Sequence, residues 1–339
     1  MAALAVLVAT SVLAAGCGVR LETPPPTEPS PDTVEVLRAG AVDDARAVAD
    51  LVSHVTPSVT DPTTLALLDE AAAFADRHVE ELGGVYDSGL DDLDAPGGTV
   101  PDVTVTTESG GTGDSPADGT AGPSDGGTEG VPATTDDVVA ALVGAAQRAG
   151  ASADVAPDPG LARLLASVAA SEHLTARRLA TATGSAAADA LVTTAPPVEG
   201  APAGVGAADL ATLVASEDAA GYAYEVRAAQ SDGDVRTAAV ARAAEHRARA
   251  QAWALAAGTD GTAQDPRRAA YALPDDADAA GLARQVETGL ARSYASLVST
   301  AAPSSRAEAI ALLVDSWASA VAWGEPHVAF PGLPEQAAG

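Results

Sequence analysis

The side chains with types and spacing suited to chemistry lie in the last third of the chain. Glu217, Glu245, Glu287 and Asp315 fall one to each of four successive helical segments. Carboxylates converging from four helices, two of them followed by a His at i+3, would make a di-iron centre. That spacing matters because residues i and i+3 project from one helical face. No Glu-x-x-His occurs here: none of the five histidines, His54, His78, His173, His246 and His327, sits three residues after a Glu.

Helical phase sorts the four carboxylates. Glu217 shares a face with Leu210, Leu213, Val214, Gly221 and Tyr224, so it points inward. His246 lies on the stripe Ala239, Ala243, Ala250, Trp253 and Ala257, with Glu245 about 100° away around the helix. Val286, Leu290 and Leu297 leave Glu287 on a flank, and Ile310, Leu313, Val314, Trp317 and Val321 put Asp315 on the far side. Two inward groups, Glu217 and His246, fall short of the three or four protein ligands of a typical metal site. Their simplest use is a buried hydrogen bond joined by Tyr222 or Tyr224, since buried polar groups need partners. The alternatives are a small-molecule site, a weak iron or manganese site drawing on Glu217, Glu245, His246 and Glu287, or catalysis. Glu172 is also inward, with no His on its stripe. Arg242, Arg247 and Arg249 read as a solvated face paired with nearby acids. Trp253, Trp317 and Trp323 read as wedges between Ala-lined helices. The single Cys and the absence of Gly-x-Ser-x-Gly or a phosphate-cradling glycine loop exclude the common nucleophilic arrangements.

These residues need helices to position them, and the composition supplies little else. Of 339 residues 83 are Ala and none is Lys, and aromatics make up 3%. Ala leads the helix propensities, while β-branched and aromatic strand formers are few, so the expected class is all-α. A core built on Ala gains density from closely approaching helices. The net charge of −29 excludes nucleic acid as a partner, because phosphate neutralisation needs clustered cations. The acids are unevenly spread: residues 1–205 hold 30 acids against 8 Arg, residues 206–323 hold 15 against 10.

The periodicity predicts a helical bundle over 33–190 and a second over 206–323. In the first, helices run over 33–54, from Asp61-Pro62 to 82, from Asp136 to 149, and from Asp158-Pro159 to 184, the Asp-Pro pairs serving as cap and first turn. Residues 91–135 carry ten Gly and nine acids, too little apolar surface to offset ordering entropy, and read as a disordered acidic insertion. A linker covers 192–205. The second bundle has helices over 207–231, 234–257, 277–300 and 304–323, followed by a coil over 324–339. One echo links the halves: Leu165 to Glu172 and Leu210 to Glu217 agree at five of eight positions.

The N-terminus explains the only Cys. The apolar run Ala2 to Ala15 ends in Leu13-Ala14-Ala15-Gly16-Cys17, which is similar to a bacterial lipobox: a signal peptide over 1–16, then a lipidated Cys17. No basic residue precedes the run, which suggests a start codon further upstream. A proline-rich tether over 17–32 follows. The expected location is the extracytoplasmic face of a bacterial cell membrane, reached through the lipid.

The stretches Ser216 to Glu225, Ala244 to Arg249, Ala270 to Pro274 and Ala329 to Glu335 together resemble an actinobacterial ferritin-like domain family of unassigned function, often found in predicted lipoproteins. The resemblance implies a ferritin-like four-helix bundle over 206–335 and no activity. The expectation is a surface-anchored binding or scaffold module without a complete di-iron site and with no cofactor. The rival is a metal-dependent oxidase or iron-handling protein using Glu217 and His246.

Overall fold

A computed structural model describes residues 30–86, 132–192, 194–273 and 279–336. Cys17, the signal peptide, the tether before Ser30 and residues 91–131 of the acidic insertion lie outside the described residues, as does Pro274. Among the described residues the chain is all-α, with no β-strand. The helices are α1 (Thr33–Val55), α2 (Pro62–Glu81), α3 (Thr135–Val155), α4 (Pro159–Thr183), α5 (Ala207–Ala229), α6 (Gly233–Ala256), α7 (Ala279–Thr300) and α8 (Ala307–Ala322). None is long and apolar enough to cross a membrane.

The helix starts follow from local chemistry. Asp61 and Asp158 accept the backbone N–H of Thr64 and Leu161, each at 2.7 Å, and Pro62 and Pro159 open the first turn. Thr134 and Asp137 form a reciprocal capping box, so α3 begins one residue before the expected Asp136. At α8 the start moves from 304 to Ala307 because the cap comes from another helix. The Asp154 carboxylate at the end of α3 accepts the backbone N–H of Arg306 at 2.6 Å and of Ala307 at 3.1 Å. The buried Arg306 guanidinium completes the join, donating to the carbonyls of Ala301, Ala153 and Ala156.

That join makes one molecule of the two expected bundles. All eight helices belong to one compact unit. Helix α4 packs on α2 and α3 and also on α7 and α8. One core cluster spans both halves, from Val42 through Leu165 and Val168 to Leu213, Leu290 and Leu313, beside a second around Val48, Leu68 and Leu142. Much of this core is Ala, which lets helix backbones approach closely, with Trp253 and Tyr294 filling the wider gaps. The expected linker is a packed coil: Ala195, Val198 and Val205 lie against the core, and the Ala302 N–H donates to the Ala203 carbonyl at 2.7 Å.

The C-terminal coil crosses from one half to the other. Ser167 Oγ donates to the Pro331 carbonyl at 2.7 Å, and His78 Nε2 to the Ala329 carbonyl at 2.9 Å. Phe330 is buried beside His78, and burying one such ring contributes about 1.5–3 kcal/mol. Gly332 permits the passage. Its φ is +77°, and a Cβ there would stand 2.8 Å from the Ala291 carbonyl oxygen. Any other residue at 332 would lift the coil from α7.

Candidate functional site

Helices α5, α6 and α7 bring Glu217, His246 and Glu287 together in a completely buried position. His246 lies between the two carboxylates. Its Nδ1 donates to Glu217 Oε2 at 2.6 Å, and its Nε2 points at Glu287 Oε1, 3.3 Å away. Neutral imidazole has only one N–H, so donation to both sides requires the imidazolium. Burial opposes that charge, but Glu217 and Glu287 outweigh it and raise the His246 pKa above its ordinary value.

Glu287 is the hub. Arg242 makes a two-pronged contact with it, Nε to Oε1 at 2.8 Å and Nη2 to Oε2 at 2.9 Å. Tyr224 OH and Ser319 Oγ also donate to Oε1, each at 2.8 Å. Burial would push the Glu287 carboxyl up, yet His246 and Arg242 hold it far below the usual carboxylate range. Arg242 reaches onward to Asp315 at 2.8 Å, which Arg249 also contacts at 2.8 Å. On the other side Tyr294 OH donates to Glu217 Oε1. Three carboxylates, Glu217, Glu287 and Asp315, thus meet three cations, His246, Arg242 and Arg249. A buried array of this kind is tolerable because its charges are matched, although Arg249 Nη1 has no partner among the described residues; loss of one member leaves the rest uncompensated.

The inward placement of Glu217 and His246 matches their helical phase. Tyr224 joins them, its ring stacked on His246 at 5.4 Å between centroids, and burial followed by the Glu287 charge raises its pKa. Tyr222 does not join; it lies against Tyr271, 5.9 Å away. Glu245 stays on the exposed flank, paired with Arg242.

Three expectations are corrected. Glu287 is not on a flank but at the centre, because α7 packs on α4, α5 and α8, and a helix with neighbours on three sides has no single inward face. Asp315 is not on the far side; it is partly buried beside α6 and holds Arg242 and Arg249. Arg249 is buried and Arg242 half-buried, so neither forms a solvated face, and both pair with acids as expected. Only Arg247 stays near solvent, where it crosses Gly221 and pairs with Asp218 and Glu225. A Cβ at 221 would stand 2.9 Å from Arg247 Cδ, so a small residue is needed there.

Two more contributors were not among the expected residues. Tyr294 is buried on α7, four residues after Leu290 and three before Leu297, so it continues the apolar stripe of that helix. Asp218, next to Glu217, accepts Tyr271 OH at 2.7 Å and the Arg268 N–H at 3.2 Å, tying the long α6–α7 connection to α5. A sequence signal existed for Tyr294, whose i+4 and i−3 spacing to Leu290 and Leu297 turns it inward. None existed for Asp218, whose partners come from the α6–α7 connection.

The donor set does not fit a metal. Both Glu287 oxygens face Arg242, and the two carboxylates sit at opposite nitrogens of His246, so an ion on either nitrogen would meet one carboxylate only. Among the described residues no group of three or more His, Cys, Asp or Glu is arranged to hold a metal ion.

Residues 209–335 match the model of a domain of unknown function, DUF4439. The match spans nearly all of α5, the whole of α6 to α8, and the C-terminal coil; α1 to α4 fall outside it. No curated protein and no solved structure matches the chain.

Proposed function

We propose that this protein is a non-catalytic binding or scaffold module whose C-terminal half is a ferritin-like four-helix bundle with protein cations at its centre. The observation that carries the reading is the two-pronged contact of Arg242 with Glu287, beside an imidazolium held between two carboxylates. In a di-iron bundle such carboxylates would face metal ions; here they face Arg242, Arg249 and His246. The pairing of α5 with α6 and α7, and of α7 with α8, supports the bundle. The network would fix the register of the helices, because a shift of any one strands a buried charge.

Metal analysis of protein purified without chelator tests this. The expected content is far below one iron or manganese per chain. Stoichiometric metal that is lost in Glu217→Ala would overturn the reading in favour of a metal-dependent oxidase or iron-handling protein.

The same reading places the module at the extracytoplasmic face of a bacterial membrane, anchored by lipid on Cys17. Labelled-lipid incorporation should occur in the wild type and vanish in Cys17→Ser. Equal labelling of both would remove the anchor.

A further inference from the structure

Beside the salt network, which it meets at Asp315, an open cleft of about 340 Å³ lies between α3, α4 and α8. Ala169, Ile310, Val314 and Leu191 make its walls largely apolar. Val192 stands at its rim with 73% of its surface exposed. The volume is at the low end of small-molecule sites, which are mostly apolar with a few placed polar groups.

Besides Gln147 and Thr194, the lining holds four ionisable groups, which divide by whether they are already engaged. Asp154 caps α8, and Asp315 is held by Arg242 and Arg249. His173 and Arg177, one turn apart on α4, are not engaged. His173 is only 9% exposed and its ring makes no hydrogen bond among the described residues, although it lines the cavity. Burial, followed by the nearby Arg177 charge, lowers its pKa to about 4, so it faces the cavity as a neutral imidazole with one N–H to donate. Arg177 is half-buried and forms no ion pair among the described residues. A guanidinium and a neutral imidazole thus stand side by side on the cleft wall, both with N–H groups directed to no protein acceptor among the described residues. A carboxylate bound in the cleft would accept from both, and charge-assisted hydrogen bonds of this kind are the stronger ones.

We propose that this cavity binds a free medium-chain carboxylate, with the hydrocarbon against Ala169, Ile310 and Val314 and the carboxylate between His173 and Arg177. The hydrocarbon would also cover Val192. The site does not depend on the metal-free reading of the salt network, and neither variant used below is part of that network.

Calorimetric titration of the full chain with decanoate, below its micelle-forming concentration, tests the proposal. The expected result is saturable 1:1 binding, weakened about tenfold by Arg177→Gln, the scale of one charge-assisted contact. Decanol should bind about tenfold more weakly than decanoate to the wild type and be indifferent to Arg177→Gln. Ala311→Trp, which fills the cavity from α8, should abolish binding of both while helix content by circular dichroism stays unchanged. Decanoate binding that survives Ala311→Trp would overturn the proposal, as would equal affinity for decanoate and decanol, or no binding to the wild type. If Ala311→Trp fails to fold, the Arg177→Gln and decanol comparisons still decide it.

Discussion

Each half of the molecule buries a Glu beside a His, and the two pairs are set up in opposite ways. In the C-terminal half His246 donates to Glu217 at 2.6 Å, within a ring of matched charges. In the N-terminal half His78 Nδ1 stands 3.8 Å from Glu172 Oε1, beyond hydrogen-bond reach, and Glu172 Oε2 has no partner among the described residues. Burial, followed by Asp44, raises the Glu172 pKa well above its ordinary value, despite Arg148. Burial lowers that of His78 to about 4, against its hydrogen bond to Ala329. So one pair is an ionised bridge and the other consists of two neutral groups in an apolar pocket. The difference lies in neighbours rather than residue types: Arg242 and Glu287 enclose the first pair, whereas Val48, Phe74 and Leu142 surround the second. Burial alone drives ionisable groups neutral; opposite charges and hydrogen bonds to the charged form reverse that.

The largest effect should come from breaking the ionised pair at its hub. Glu287→Ala removes the acceptor of Arg242, Tyr224 and Ser319 and leaves Arg242 and His246 buried with less compensation. The expected cost is about 3–5 kcal/mol, measured by denaturant unfolding. A loss below about 1 kcal/mol would mean the network contributes no more than a surface ion pair.

Acid should act mainly on the neutral side. His78, His173 and His327 have folded pKa values lowered to about 4, 4 and 3. Below pH 6.5 the unfolded chain therefore binds protons that the folded chain does not, and stability falls as pH drops from 6.5 towards 4. For His78 the full loss approaches ~3 kcal/mol at roughly 1.4 kcal/mol per pKa unit. His78→Gln retains an N–H for the Ala329 carbonyl and should flatten this dependence in denaturation midpoints between pH 7 and 4.5. An unchanged slope would show that His78 does not carry it. The ionised pair behaves differently. The Glu287 contribution is full above pH 4.5 and is lost as pH falls below it towards the depressed folded pKa, and the His246 contribution is full below pH 6.5 and lost as pH rises through its raised folded pKa.

The smallest effect is a gain. Glu172 keeps its proton in the folded state where the unfolded chain has lost it, so its contribution to stability declines as pH rises above 4.5. Glu172→Gln imitates the protonated form and should stabilise by about 1 kcal/mol at pH 7, more at pH 8. Destabilisation at both pH values would show that Glu172 is ionised in the fold and would close the contrast between the halves.

The sequence echo that ends in Glu172 and Glu217 gains a meaning from this comparison. Both glutamates are buried, as the shared Leu-Ala pattern implies, yet they sit on the fourth helix of one half and the first of the other. Repeated local pattern reproduced burial without reproducing environment. His78 was invisible as a partner of Glu172 because it comes from α2, 94 positions away in the numbering.

What the sequence determined by itself is whatever one helix decides alone. Ala richness and the Asp-Pro starts specify helices, and i, i+3, i+4 periodicity turns Glu217, His246 and Tyr224 inward. Tertiary structure alone decided the rest. Glu287 and Asp315 enter the site because α7 and α8 have several neighbours, so residues off the main apolar stripe are buried or half-buried as well. Arg306, the packed coil after α4 and the C-terminal coil join two expected bundles through contacts about 100 residues or more apart in sequence. Phase is a property of one helix. Which groups share a buried space, and therefore which are charged, depends on where the other helices lie.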